Sequence, residues 1–125
     1  MSAFKELSAT ENEIMEVMWE QSEAVPYSFL IDFFNTKRGK EWKRQTLSTY
    51  MIKLSEKGLI ISQSQGRQMF YSIAMTRADY EKTKANGILD KLYNGSVKNF
   101  MTALYDGKEI SKNQIEDLKQ WLKDK

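Results

Sequence analysis

Between Lys43 and Thr49 the chain reads Lys-Arg-Gln-Thr-Leu-Ser-Thr, and Leu47 is the one apolar residue in the run. These side chains suit the recognition of nucleic acid. Arginine can pair with guanine, glutamine with adenine, hydroxyls with phosphate or either base, and a threonine methyl with that of thymine. A helix lying in a major groove presents such residues from its N-terminal half. Lys43, Arg44, Gln45, Thr46, Ser48 and Thr49 are therefore candidate DNA contacts. Acids frame this stretch without interrupting it: Glu41 precedes it and Glu56 lies beyond its far end. An ordinary solvated helix face would have a similar composition, so the segment alone leaves both readings open. A later cation favours the first. Gln65-Gly66-Arg67 reads as a turn, and an arginine at the tip of a hairpin can reach a minor groove or the DNA backbone.

The chemistry available elsewhere is narrow. The 125 residues include no cysteine and no histidine. That excludes disulfides, thiolate nucleophiles, Ser-His-Asp catalysis and zinc sites built from Cys or His. A carboxylate-only site for magnesium or calcium stays open, but there is no EF-hand loop and no Gly-rich phosphate loop. The acids fall at helical spacing and read as solvated helix surface. No catalytic constellation can be located, and no cofactor or metal is expected. The net charge of +2 is unevenly spread: residues 1–36 carry −6, residues 37–77 carry +7 and residues 78–125 carry +1. A basic middle third suits a polyanionic partner.

Three helices and a hairpin would position these residues. Ser8-Ala9-Thr10-Glu11 and Thr10-Glu11-Asn12-Glu13 both offer a capping box for a first helix. Ile14, Met15, Val17 and Met18 form its apolar side, and Trp19 reads as structural. Val25-Pro26 breaks it, and Ala24-Val25-Pro26 reads as a short strand or a turn. A second helix opens at Ser28 or Tyr27 and carries Leu30, Ile31, Phe33 and Phe34. Residues 36–40 form a basic loop with a glycine break. The third helix spans about Lys43 to Lys57. Leu47, Tyr50 or Met51, and Leu54 make its stripe, and Gly58 takes its C′ position. Residues 59–64 and 68–73 then make a hairpin in which Met69, Tyr71 and Ile73 alternate, as a half-buried strand requires. The order is that of a winged helix-turn-helix domain, expected over residues 1–75.

Residues 76–125 read as wholly helical. One helix runs from Arg77 to about Tyr93, one from Ser96 to about Tyr105, and one is capped by Ser111 with Gln114. Short amphipathic helices fold poorly alone and need a partner. The fold class is thus mainly α with a small β-hairpin, a winged-helix domain followed by a helical region. No apolar run approaches the roughly 18 residues of a membrane span, so no membrane insertion is expected. Met1 to Glu6 show no secretory pattern. The expected location is cytoplasmic.

In order and spacing these segments resemble the penicillinase repressor (BlaI/MecI) family of winged-helix regulators, which includes copper-responsive (CopY) members. The resemblance rests on residues 7–15 with Trp19, on Thr46-Leu47-Ser48-Thr49 with Lys53-Leu54, and on Glu56-Lys57-Gly58-Leu59-Ile60. It continues through Leu92-Tyr93-Asn94-Gly95 and Ile115-Glu116-Asp117-Leu118. It implies a non-enzymatic repressor that binds a palindromic operator as a homodimer. Gln45, Thr46, Ser48, Thr49 and Lys53 would face the DNA, with Arg67 on the wing. The C-terminal helices would dimerise through Leu92, Tyr93, Val97, Phe100, Met101, Leu104, Ile115, Leu118 and Leu122. In the antibiotic-responsive branch a membrane sensor triggers proteolysis at an Asn-Phe bond, which aligns here with Ala103-Leu104. The chain departs from the pattern there, because its Asn99-Phe100 pair lies four residues early. It also lacks the cysteine motif of the copper branch, so no metal response through cysteines is expected. Two other functions suit the same elements. One is a ligand-sensing regulator with a small molecule between the domains, lined by Trp19, Trp42, Phe70, Tyr93 and Trp121. The other is a protein-interaction module that does not bind DNA.

Overall fold

Helix α1 (Ala9–Met18) begins at one of the two overlapping capping boxes. Ser8 Oγ accepts from Glu11 N at 3.1 Å, and Glu11 Oε1 accepts from Ser8 N at 2.8 Å. The helix buries Ile14, Met15, Val17 and Met18. Residues 6–125 are described in the computed structural model, so the expected lack of a secretory pattern falls, apart from Glu6, outside the described residues. The chain divides into two compact units, the first reaching Thr83 and the second running from Lys84 to Lys125.

Strand β1 (Val25–Pro26) resolves the open reading of that segment: Val25 and Pro26 pair antiparallel with Tyr71 and Phe70. Proline is tolerated because β1 is at the edge of a sheet ordered β1-β3-β2. Helix α2 (Tyr27–Lys37) follows directly and buries Tyr27, Leu30 and Phe34. It runs further than expected. Thr36 and Lys37 complete its last turn, where the Thr36 hydroxyl donates to Asp32 O at 2.6 Å.

Helix α3 (Arg44–Glu56) buries Leu47, Met51 and Leu54, so Met51 rather than Tyr50 completes the stripe. Gly58 ends it with a φ of +81°, which allows Gly58 N to donate to Ser55 O and Leu59 N to Leu54 O, both at 3.0 Å. Leu59 is thereby held by the helix, and β2 (Ile60–Gln65) starts one residue later than expected. Strand β3 (Gln68–Ile73) returns in register, with Ile60 opposite Ile73 and Gln65 opposite Gln68. Gly66, at φ +64°, supplies the conformation that a two-residue hairpin turn requires, and Arg67 is its neighbour. Leu59, Ile60 and Tyr71 close the core formed by α1, α2 and α3. Three helices and this small antiparallel sheet make a winged helix-turn-helix.

Helix α4 (Arg77–Tyr93) is capped by Thr76, whose hydroxyl accepts from Asp79 N at 3.1 Å. Its first turn is moored to the end of α1. Trp19 Nε1 donates to Met75 O at 3.0 Å, and its ring meets that of Tyr80 at 5.7 Å. Arg77 lies 5.1 Å from the Trp19 ring centre and pairs with Glu16 at 2.6 Å. In the second unit, α5 (Val97–Asp106) is capped by Ser96 and α6 (Lys112–Lys123) by Ser111 in a capping box with Gln114. Neither helix contains a buried residue. Among the described residues, no helix is long and apolar enough to cross a membrane.

One ion pair joins the start of α1 to the end of α3. Lys57 Nζ meets Glu11 Oε1 at 2.8 Å, and the Glu11 side chain is only 4% exposed. Burial pushes the Glu11 carboxyl up, but the hydrogen bonds from Lys57 and Ser8 outweigh it and hold the group below its ordinary 4.5. A carboxyl with a lowered folded-state pKa adds stability that is complete above the ordinary value and is lost as pH falls through the lowered one. Lys57→Met should therefore cost about 2 kcal/mol, because it leaves a buried acceptor without its donor. The Lys57→Met, Glu11→Gln double variant should lose less than the sum of the two single variants. Urea denaturation at pH 7 and pH 4 measures both effects, and the penalty of Lys57→Met should shrink at the lower pH.

Candidate nucleic-acid interface

The start of α3 is fixed by residues outside it, because Lys43 at its N-cap makes no side-chain capping bond. Asn35 of α2 grips the preceding residue from both sides. Its Oδ1 accepts from Trp42 N at 2.9 Å, and its Nδ2 donates to Trp42 O at 3.0 Å. The Trp42 ring packs against Phe34 at 5.0 Å and Tyr50 at 5.6 Å. Lys40, 5.6 Å from the Trp42 ring centre, pairs with Glu13 at 3.0 Å. Trp42 therefore works as a structural wedge.

With the stripe of α3 buried, two rows of side chains emerge from it, each spaced four residues apart. Gln45, Thr49 and Lys53 form one row, all exposed, and Lys43 and Thr46 are exposed near its N-terminal end. The Thr49 hydroxyl donates to Gln45 O at 2.9 Å, which leaves its lone pairs available outward. Arg44, Ser48 and Ile52 form the other row and line a groove shared with α2 and the hairpin. The eight candidate contacts are thus split: Arg44, Ser48 and Arg67 line the groove, and the other five do not.

The groove has a volume of about 750 Å³. Its donors include Arg44, Arg67, Gln68 and the hydroxyls of Ser28, Ser48, Ser62 and Ser64. No acidic residue lines it, and neither arginine is ion-paired among the described residues. Tyr27 holds Arg44 in place. Its hydroxyl donates to Arg44 O, and its ring lies 5.4 Å from the guanidinium carbon. Burial first, and then the neighbouring Tyr27, push the Tyr71 phenol up against the opposing pull of Arg44. The groove therefore gains no negative charge at neutral pH.

The sequence reading missed Ser28, Ser62, Ser64 and Gln68. A signal existed for two of them, since Ser62 and Ser64 are two apart on a strand and must share a face. They lie opposite Tyr71 and Met69, so that face is core at the base of the hairpin and groove near its tip. None of the five aromatics expected around a ligand lines this groove. In the second unit, none of the nine expected dimerisation residues is buried, and Leu92, Val97 and Leu122 are more than half exposed. Asn99-Phe100 and Ala103-Leu104 both lie within α5.

The family model for the penicillinase repressor matches residues 7–124. The penicillinase repressor of Bacillus licheniformis is 24% identical over 124 residues, covering 99% of this chain and 94% of that protein. The methicillin resistance regulatory protein MecI of Staphylococcus aureus (strain N315) is 22% identical over 120 residues, covering 96% and 95%. Among solved structures, the DNA binding domain of the repressor BlaI superposes with a TM-score of 0.53 at 25% identity, covering 64% of this chain and 94% of that one.

Tyr27→Phe keeps the ring beneath Arg44 but removes the hydroxyl that reaches Arg44 O. It should lower stability by about 1 kcal/mol, the usual net worth of one hydrogen bond. Chemical denaturation of the variant beside the parent chain checks this.

Proposed function

The chain belongs to the penicillinase repressor family, and from that footing we propose that it is a DNA-binding repressor acting as a homodimer on a palindromic operator. The family is one of repressors rather than enzymes. The observation that carries the reading is the acid-free groove beside α3. A helix in a major groove and a wing in the adjacent minor groove leave one phosphate strand between them. That strand would have to cross the space between α3 and the hairpin, where Arg44, Arg67 and the four serines are gathered. The outer row of Gln45, Thr49 and Lys53, with Lys43 and Thr46, would then address base edges and flanking phosphates.

On this reading residues 1–75 bind the operator and residues 76–125 dimerise. The exposed apolar residues of α4, α5 and α6 support a second copy as the partner, and a two-fold dimer suits a palindrome. The protein would work in the cytoplasm and respond to no metal through cysteines. If repression is relieved as in the antibiotic-responsive branch, through an upstream membrane sensor or protease, the bond to examine is Ala103-Leu104.

Selection of bound fragments from sheared genomic DNA tests the function. It should return a palindrome with half-sites a whole number of helical turns apart. On the selected site, Arg44→Ala or Lys53→Ala should weaken binding. Loss of one phosphate contact should lower the slope of log K against log salt by about 0.9, whereas loss of a base contact should relax discrimination at one position by about 1–3 kcal/mol. Unchanged affinity in both variants would refute this assignment of the DNA face. Leu92→Lys combined with Leu122→Lys should turn a dimer into a monomer in sedimentation equilibrium, with the near-ultraviolet spectrum of the first unit preserved.

A further inference from the structure

The groove between α3 and the hairpin has more apolar surface than a phosphate strand can use. Ile52 is 58% exposed and Met69 is 37% exposed. Ile31, Tyr27 and Tyr71 line the same groove. Apolar residues left open beside unpaired cations suit a ligand that is itself divided, with an anionic head and an apolar body. The volume of about 750 Å³ lies within the range of small-molecule sites, roughly 300–1,000 Å³. The charge is complementary in one sense only, because two arginines and no carboxylate face the space. Arg44 lies against the ring of the buried Tyr27 at 5.4 Å, so its flat guanidinium is held at the wall of the groove, where a carboxylate could pair with it.

We propose that this groove is a binding site for a small aromatic carboxylate, whose charged end pairs with Arg44 or Arg67 and whose ring covers Ile52 and Met69. Occupancy of the groove excludes the phosphate strand, so the ligand and DNA compete for one surface. The competition rests on the DNA-binding reading above, whereas the binding itself does not.

The test is calorimetric titration of the full chain with 1-naphthoate, and with neutral 1-naphthylmethanol as the control. The naphthoate should bind saturably with a Kd below about 1 mM, and the alcohol should bind at least about tenfold more weakly for want of the charged contact. Ile52→Ser should weaken naphthoate at least about fivefold, because it removes the apolar side chain that the ring covers. Arg67→Ala should weaken both naphthoate and genomic duplex, and saturating naphthoate should release bound duplex. No saturable binding, equal binding of acid and alcohol, or binding unchanged in both Ile52→Ser and Arg67→Ala overturns the site. Ternary complexes of chain, naphthoate and duplex overturn the competition. A chain that retains no duplex at all but binds naphthoate with this dependence on Ile52 and Arg67 refutes the DNA reading and leaves the site standing.

Discussion

Leu47, Met51 and Leu54 are almost wholly enclosed, and their burial sets the rotation of α3 about its own axis. A helix advances 3.6 residues per turn, so once three positions are directed inward the remaining rows have no freedom. Gln45, Thr49 and Lys53 must face outward, and Arg44, Ser48 and Ile52 must face the hairpin. The hold of Asn35 on both backbone groups of Trp42 fixes where that helix starts. Together, burial and grip make the exposed face of α3 a by-product of the core: a loss of packing at Leu47 or Met51 would turn every polar residue on it.

The uneven charge of the sequence takes on a sharper meaning in the fold. Three acids of α1, Glu11, Glu13 and Glu16, pair with Lys57, Lys40 and Arg77. All three cations come from the basic middle third. The acidic N-terminal segment thus neutralises a chosen part of that excess and ties α1 to three separate places in doing so. Among the described residues Lys37, Arg38, Lys43, Arg44, Lys53 and Arg67 are left outside these pairs, at the end of α2, at the start of and along α3, and in the turn. What looked like a diffuse basic stretch is sorted by its partners into cations that hold the domain together and cations that face outward.

Much of this was legible in the sequence because it is local. Capping at Ser8 and Ser111, the C′ glycine at 58, the stripe of α3 and the turn at Gly66 depend on residues within one or two turns of each other. The less legible features depend on distant pairing. Val25-Pro26 could be a short strand or a turn until Tyr71 and Phe70 are alongside it. Ile52 is an apolar residue in an otherwise polar row of α3, and Met69, which lines the groove with it, comes from another element. Ser28 and Ser62 are separated by the whole of α3 and have no sequence relation to reveal that they share a groove. The choice of Met51 over Tyr50 was open because Tyr50 has its own use, packing against Trp42.

The placement of the three tryptophans has an optical consequence. Trp19 and Trp42 are half-buried in the first unit, one between Arg77 and Tyr80 and the other between Phe34 and Tyr50. Trp121 belongs to the second unit and is 54% exposed. In the single chain the emission is therefore a mixture of two partly shielded tryptophans and one solvent-type tryptophan, which an aqueous quencher distinguishes. Trp42 reports on the start of α3 and Trp121 on whatever covers α6. The two halves of the molecule can be followed independently in one cuvette, without an added label.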